Sequence, residues 1–179
     1  MMTDNQVFAI IFAIVRDGCN DRGLDVYVQQ SFQPTQQGVP TKPILAIHRI
    51  DSKRYGWPEN ESYFDENNDV VVQRQSYWLE STYQLDCLAI QNPQTPQEFT
   101  AFDFVDAAAM ILQTSKAVDA FRAAGIGILR IEPLRVQYFI DDKGRHEQVP
   151  SFDFTLTYRQ VLLDEANPVV RITGEIQEV

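Results

Sequence analysis

Residues 70–91 constrain the fold more than any other part of the chain. Leu79, Ser81, Tyr83, Leu85, Cys87 and Ala89 fall on one side of a two-residue period, and Glu80, Thr82, Gln84 and Asp86 fall on the other. One long strand with an apolar side and a wetted side belongs to an antiparallel sheet that is covered on one face. Asn92-Pro93-Gln94-Thr95-Pro96 stops it. The last third repeats the habit. Ile128, Leu134, Val136, Tyr138 and Ile140 are in phase along a strand over 126–140, and Asp141-Asp142-Lys143-Gly144 turns the chain back. On the return strand Phe152, Phe154, Leu156, Tyr158 and Leu162 alternate with Asp153, Thr155, Thr157 and Arg159, and a short strand over 169–176 follows Pro168.

Two helices are expected. Thr3-Asp4-Asn5-Gln6 has the form of a capping box opening a helix over 4–21, ended near Gly23. Its first half is apolar on nearly all sides, which calls for burial between the sheet and a second surface. Thr100 caps the other helix, whose Phe104, Ala107, Ala108, Ile111, Leu112, Ala117, Val118 and Phe121 recur at helical spacing up to Gly125. Between the first helix and residue 70 lie strands over 25–30 and 44–50. Residues 31–43, with three prolines and a glycine, read as a loop, and residues 52–69 read as a second long polar loop. The order is α-β-β-β-α-β-β-β. Consecutive strands without βαβ alternation indicate an α+β fold, a mainly antiparallel twisted sheet packed by two helices. A length of 179 residues and an apolar fraction of 44% suit one domain spanning 1–179 with an adequate core.

The charge balance sets limits on partners. There are 25 acidic and 15 basic residues, for a net charge of −10. Such a surface repels phosphate backbones, so tight wrapping of nucleic acid is disfavoured, while a negative wall lets nucleic acid pass without sticking. Acidity also serves solubility. The apolar run Val7 to Val15 has no basic segment before it and falls short of the roughly 20 residues a membrane span requires.

Catalytic chemistry finds little support. His48 and His146 are the only histidines, with no nucleophile elbow, and His48 reads as a packed strand residue. Cys19 and Cys87 form no paired motif; Cys87 reads as a small buried apolar residue. Asp65-Glu66-Asn67-Asn68-Asp69 lacks calcium-loop spacing and reads as a solvated turn. Gly125-Ile126-Gly127 follows a helix instead of opening one, so it reads as a C-cap and not a phosphate cradle. Lys53-Arg54-Tyr55-Gly56-Trp57 is the one basic–aromatic patch, a composition typical of protein interfaces.

Three stretches carry a family resemblance: Asp4-Asn5-Gln6-Val7-Phe8; Val26-Tyr27-Val28-Gln29-Gln30-Ser31-Phe32-Gln33-Pro34-Thr35-Gln36-Gln37-Gly38; and His48-Arg49-Ile50-Asp51-Ser52-Lys53-Arg54-Tyr55-Gly56-Trp57-Pro58. With the helix over 99–125 and the strand bearing Arg130, they resemble phage neck and tail terminator proteins, which close the head-proximal end of a tail tube. The resemblance implies a structural virion protein without cofactor or catalytic step. It implies a homo-oligomeric ring, hexameric in that family, contacting the tail tube protein and the head–tail connector. DNA would pass through without specific binding, and the protein would be soluble in the host cytoplasm before assembly, with no membrane partner. Expected contact residues are Phe32, Gln33, Gln36, Gln37, Lys53, Arg54, Tyr55, Trp57, Asp142, Lys143 and Arg145. Another head–tail joining part, a tail-tube protein, or a small ligand-binding domain using His48 or the acidic loop are the alternatives.

Overall fold

The computed structural model describes residues 2–31, 42–68, 70–89, 94, 97–140 and 146–166. Among them are α1 (Asp4–Asn20), β1 (Tyr27–Gln30), β2 (Ile44–Asp65), β3 (Val70–Leu88), α2 (Ala101–Leu112), α3 (Ser115–Ala123), β4 (Ile126–Ile131), β5 (Arg135–Ile140) and β6 (His146–Ala166). The expected α+β class is found. The sheet runs β1-β2-β3-β6-β4, with β5 beside the start of β6. Only β1 and β2 are parallel; every other pair is antiparallel.

Local chemistry explains the helix ends. At α1 the Thr3 hydroxyl accepts from Gln6 N, while the Gln6 side chain accepts from Thr3 N at 2.8 Å. Thr100 and Asp103 make the same reciprocal pair at α2. The single second helix expected over 100–125 is two helices. Thr114 breaks it: its hydroxyl donates to Ile111 O at 2.7 Å and accepts from Ala117 N at 3.2 Å, closing α2 and capping α3. Gly125 ends α3 at φ +73°, a left-handed backbone that a side chain would strain. The strand expected over 126–140 is likewise two, β4 and β5, separated around Pro133, which has no N–H for a ladder. The hairpin before β6 forms as expected between β5 and β6, though its tip lies outside the described residues. So does the strand expected over 169–176.

The largest correction concerns residues 52–69. They are not a loop. β2 continues to Asp65, pairs with β3 up to Asp65↔Val70, and turns over residues 66–68. Residues 52–64 are almost wholly exposed, so no alternation of apolar and polar side chains marked them.

All three helices lie against the sheet's apolar side. Tyr83, at the centre of β3, is fully buried. Its ring stacks on Phe154 of β6 at 5.6 Å and meets Phe8 of α1 edge-on at 5.4 Å. Leu45 and Ile47, Leu85 and Cys87, and Phe152 and Leu156 extend this layer, and Val7, Ile11, Val15, Val105, Ala108 and Leu112 close it from above. Each such side chain contributes about 1.5–3 kcal/mol relative to exposure. Cys19 and Cys87 are both buried and free, and burial raises both thiols, to about 11 and about 12.

The opposite face is polar but not simply wet. Ser151 and Thr155 are buried, and Thr155 bonds Thr82 at 3.1 Å. Arg135 pairs with the mostly buried Asp153 at 2.7 Å. His48 Nδ1 lies 3.8 Å from Asp86 Oδ2, and both side chains are about four-fifths covered. Burial pushes the Asp86 carboxyl up from 3.8 to about 6, and pushes the His48 imidazole below its ordinary 6.5 against the opposing charge of Asp153.

Two predictions follow from this packing. A Cβ at Gly18 would sit 2.4 Å from Ile111 Cγ2, where α1 crosses α2. Gly18→Ala should therefore lower stability by about 1–2 kcal/mol despite the better helix propensity, measured by thermal or urea unfolding. Because the folded pKa of Asp86 is raised, the stability linked to it is complete below about pH 4 and is lost as pH rises through 6. Asp86→Asn should remove that loss and add about 2–3 kcal/mol at pH 7, read from urea unfolding between pH 4 and 8. The depressed pKa of His48 acts in the other sense, and its loss of stability as pH falls below 6.5 should persist in the variant.

Candidate functional site

The sheet outruns the helices. The buried run of β3 reaches back to Ser81, and that of β6 ends at Tyr158. Beyond these points residues 52–65 of β2, 70–80 of β3 and 159–166 of β6 continue as a three-stranded arm. At about 3.3 Å per residue the β2 portion is roughly 40 Å long. A hydroxyl row marks the root: Ser52 Oγ to Ser81 Oγ at 3.0 Å, and Ser81 Oγ to Tyr158 OH at 3.2 Å. It joins the hydroxyls of all three strands where the arm begins.

Within the arm the register breaks once. Tyr55 pairs Trp78 and Glu59 pairs Ser76, so Gly56, Trp57 and Pro58 stand opposite Tyr77 alone. Gly56 takes φ +73°, which lets the bulge turn, and Pro58 needs no ladder partner there. The consequence is Trp57, which is 93% exposed. Covering it would remove roughly 200 Å² of surface from water, worth about 5 kcal/mol at ~25 cal/mol per Å². Tyr55, Tyr63, Phe64, Leu162 and Leu163 are also about half exposed or more.

Cross-strand charges stiffen the arm. Lys53 pairs Glu80 at 2.8 Å, Glu61 pairs Arg74 at 3.3 Å, and Arg159 bridges Glu59 and Ser76. Exposed pairs of this kind contribute at most about 1 kcal/mol each, so their effect is mainly to hold the register. The Arg54 guanidinium lies 4.9 Å over the Tyr77 ring. Among the described residues no carboxylate pairs with it.

Both long edges of the arm are open among the described residues. β1 pairs only with Ile44–Ile47 of β2, and β4 pairs only with residues 154–158 of β6. Their outward N–H and C=O groups are a template for another strand.

The structure thus brings Lys53, Arg54, Tyr55 and Trp57 together on the root and bulge of one arm. Phe32, Gln33, Gln36, Gln37, Asp142, Lys143 and Arg145 lie outside the described residues. Sequence reasoning missed the rest of the arm: Tyr63, Phe64, Trp78, Leu162 and Leu163. A usable signal was present, since Tyr63-Phe64 and Val70-Val71-Val72 flank an Asp/Asn-rich turn, the pattern of a hairpin. The acidic turn is a solvated one, as expected: Asp65 accepts from Asn67 N at 3.0 Å and from Asn68 Nδ2 at 2.8 Å. Among the described residues no cluster of acidic, histidine or cysteine side chains has metal-binding geometry. No described helix is long and apolar enough to cross a membrane.

Comparisons with known proteins agree with this architecture. No curated protein matches the sequence. Among solved structures, the chain is similar to the PVC sheath/tube terminator of an extracellular contractile injection system in its extended state. The TM-score is 0.56 at 12% identity, covering 100% of this chain and 65% of that one. At this identity the likeness is one of fold, and the chain spans about two thirds of the terminator's length. A family model described as E217 gateway protein gp29 matches residues 6–167. The neck and terminator resemblance read from the sequence is borne out by the family match, and the terminator shares the fold. With nearly the whole described chain inside that match, the protein belongs to the E217 gateway protein gp29 family.

Proposed function

We propose that this chain is a structural protein of a phage neck. Residues 1–179 act as one unit that forms a ring at the head-proximal end of a tail tube. The ring stops tube polymerisation and joins the tail to the head connector. The observation that carries the reading is the arm: two open strand edges and an exposed Trp57 on one projecting sheet. A sheet built this way offers its edges for pairing and would cover its aromatic side chains in an assembly. The gateway family and the terminator-like fold support the same place in a virion.

In this reading the contact residues are Lys53, Arg54, Tyr55 and Trp57, together with Phe32, Gln33, Gln36, Gln37, Asp142, Lys143 and Arg145. The protein carries out no catalytic step and is soluble in the host cytoplasm before it joins the virion. The net charge of −10 suits a passage through which DNA slides without specific binding.

Trp57→Ala tests the reading. Its side chain touches little within the chain, so the melting temperature should stay within about 2 °C of wild type. Capping of tail tubes, counted by electron microscopy, should fall severalfold, with longer and less uniform tails. Unchanged particle yield and tail length in that variant would sink the assignment.

A further inference from the structure

The large exposed apolar side chains fall mainly into two separate groups. One is the arm. The other is a stripe on the outer side of α2 and the residues leading into it: Phe99, Phe102 and Met110, each about half exposed. Phe102, Asp106 and Met110 are spaced four apart, so they share one outward line, while Phe104, Ala108 and Ile111 face the core. The stripe is acidic. Asp103 is occupied by the Thr100 cap, but among the described residues no cation pairs with Glu98 or Asp106. On the arm root, Arg54 has the opposite sign. It has no carboxylate partner among the described residues and lies over the ring of Tyr77, the residue opposite the bulge that carries Trp57.

One chain thus carries an aromatic–cationic knob on its arm and an apolar–anionic stripe on α2. Arm against arm would bring like charges together, so a two-fold contact through the knob is disfavoured. Knob against stripe is complementary in charge and covers apolar surface on both sides. A contact between two different surfaces is heterologous, and repeated it closes a ring or extends a filament. We infer that the knob formed by Arg54 and the Trp57 bulge of one copy docks on the Phe99–Phe102–Asp106–Met110 stripe of the next. The inference rests on the reading that copies assemble, and it specifies the surfaces that do so. Trp57 supplies the desolvated centre of the contact, and Arg54 opposite Asp106 fixes its register.

The test uses the full chain, followed by light scattering after size exclusion and by electron microscopy over a range of concentrations. Arg54→Glu and Asp106→Arg should each raise the midpoint concentration for assembly by at least about tenfold. Both positions are solvent-facing, so circular dichroism should show unchanged folding. The double variant, Arg54→Glu with Asp106→Arg, should return to near wild type, because the pair is restored with reversed sign. Independently, Trp57→Cys combined with Phe102→Cys should give a ladder of disulfide-linked oligomers on mild oxidation. Either cysteine alone should give dimers at most, since Cys19 and Cys87 are buried. If wild type assembles but the double variant is not rescued and no ladder forms, this contact is wrong and self-assembly stands. If the reversals leave assembly intact yet abolish capping of added tail tubes, the stripe faces the tube, which also overturns the inference. Wild type that stays monomeric at every concentration, with no ladder, overturns both this contact and the ring.

Discussion

The backbone pairing of β3 between β2 and β6 is what the rest of the molecule hangs on. Eighteen residues of β3 are matched across β2, and sixteen across β6, all antiparallel. Because side chains alternate with a period of two, this register puts Ser81, Tyr83, Leu85 and Cys87 on one face together. A slip of one residue would send them all to the other face. Every helix contact depends on that choice. Phe8 meets Tyr83, α2 lies over β3 and β6, and Gly18 lets α1 approach α2 through Ile111.

The same strand pair creates the arm. Helices cover the sheet only where β3 offers an apolar face. Past Ser81 the facing positions are Leu79, which still packs against the core, and then Tyr77, Gln75 and Gln73, beyond which the helical layer has little to bury. The ladder continues regardless, since backbone hydrogen bonds need no apolar face. What results is a sheet whose stability comes from its register and whose aromatic side chains stand exposed. Proteins usually blunt such edges with bulges, proline and charge. All three occur here, at Gly56-Trp57-Pro58 and in the Lys53–Glu80 and Glu61–Arg74 pairs. The bulge, however, turns Trp57 outward where a purely protective device would hide it.

Legibility in the sequence followed burial. Where one face is covered, as in β3 and in β6 from Phe152 to Tyr158, alternation announced the strand and its inward residues. Where caps use side-chain oxygens, at Thr3 and Thr100, the helix starts were legible to the residue. Thr114 was not, because a threonine inside a run of helical spacing looks like any other, and only its bonds to Ile111 and Ala117 reveal the break. The extension of β2 was missed for the opposite reason. Both its faces and its edge are exposed, so no burial imposed a pattern, and Gly56 and Pro58 look like loop residues unless a bulge absorbs them.

Sequence alone determined the α+β class, the polarity of the main strands, the capped helix starts and the basic–aromatic composition of Lys53 to Trp57. Each of these depends on side-chain chemistry or on periodicity within a short stretch of chain. Tertiary structure decided that this patch sits on a projecting arm with open edges, that Asp86 and His48 share a covered polar face, and that α2 turns Phe102, Asp106 and Met110 outward. Those facts depend on which strands become neighbours and where the helical layer stops. Both are set by pairing between residues far apart in the chain, which no local pattern encodes.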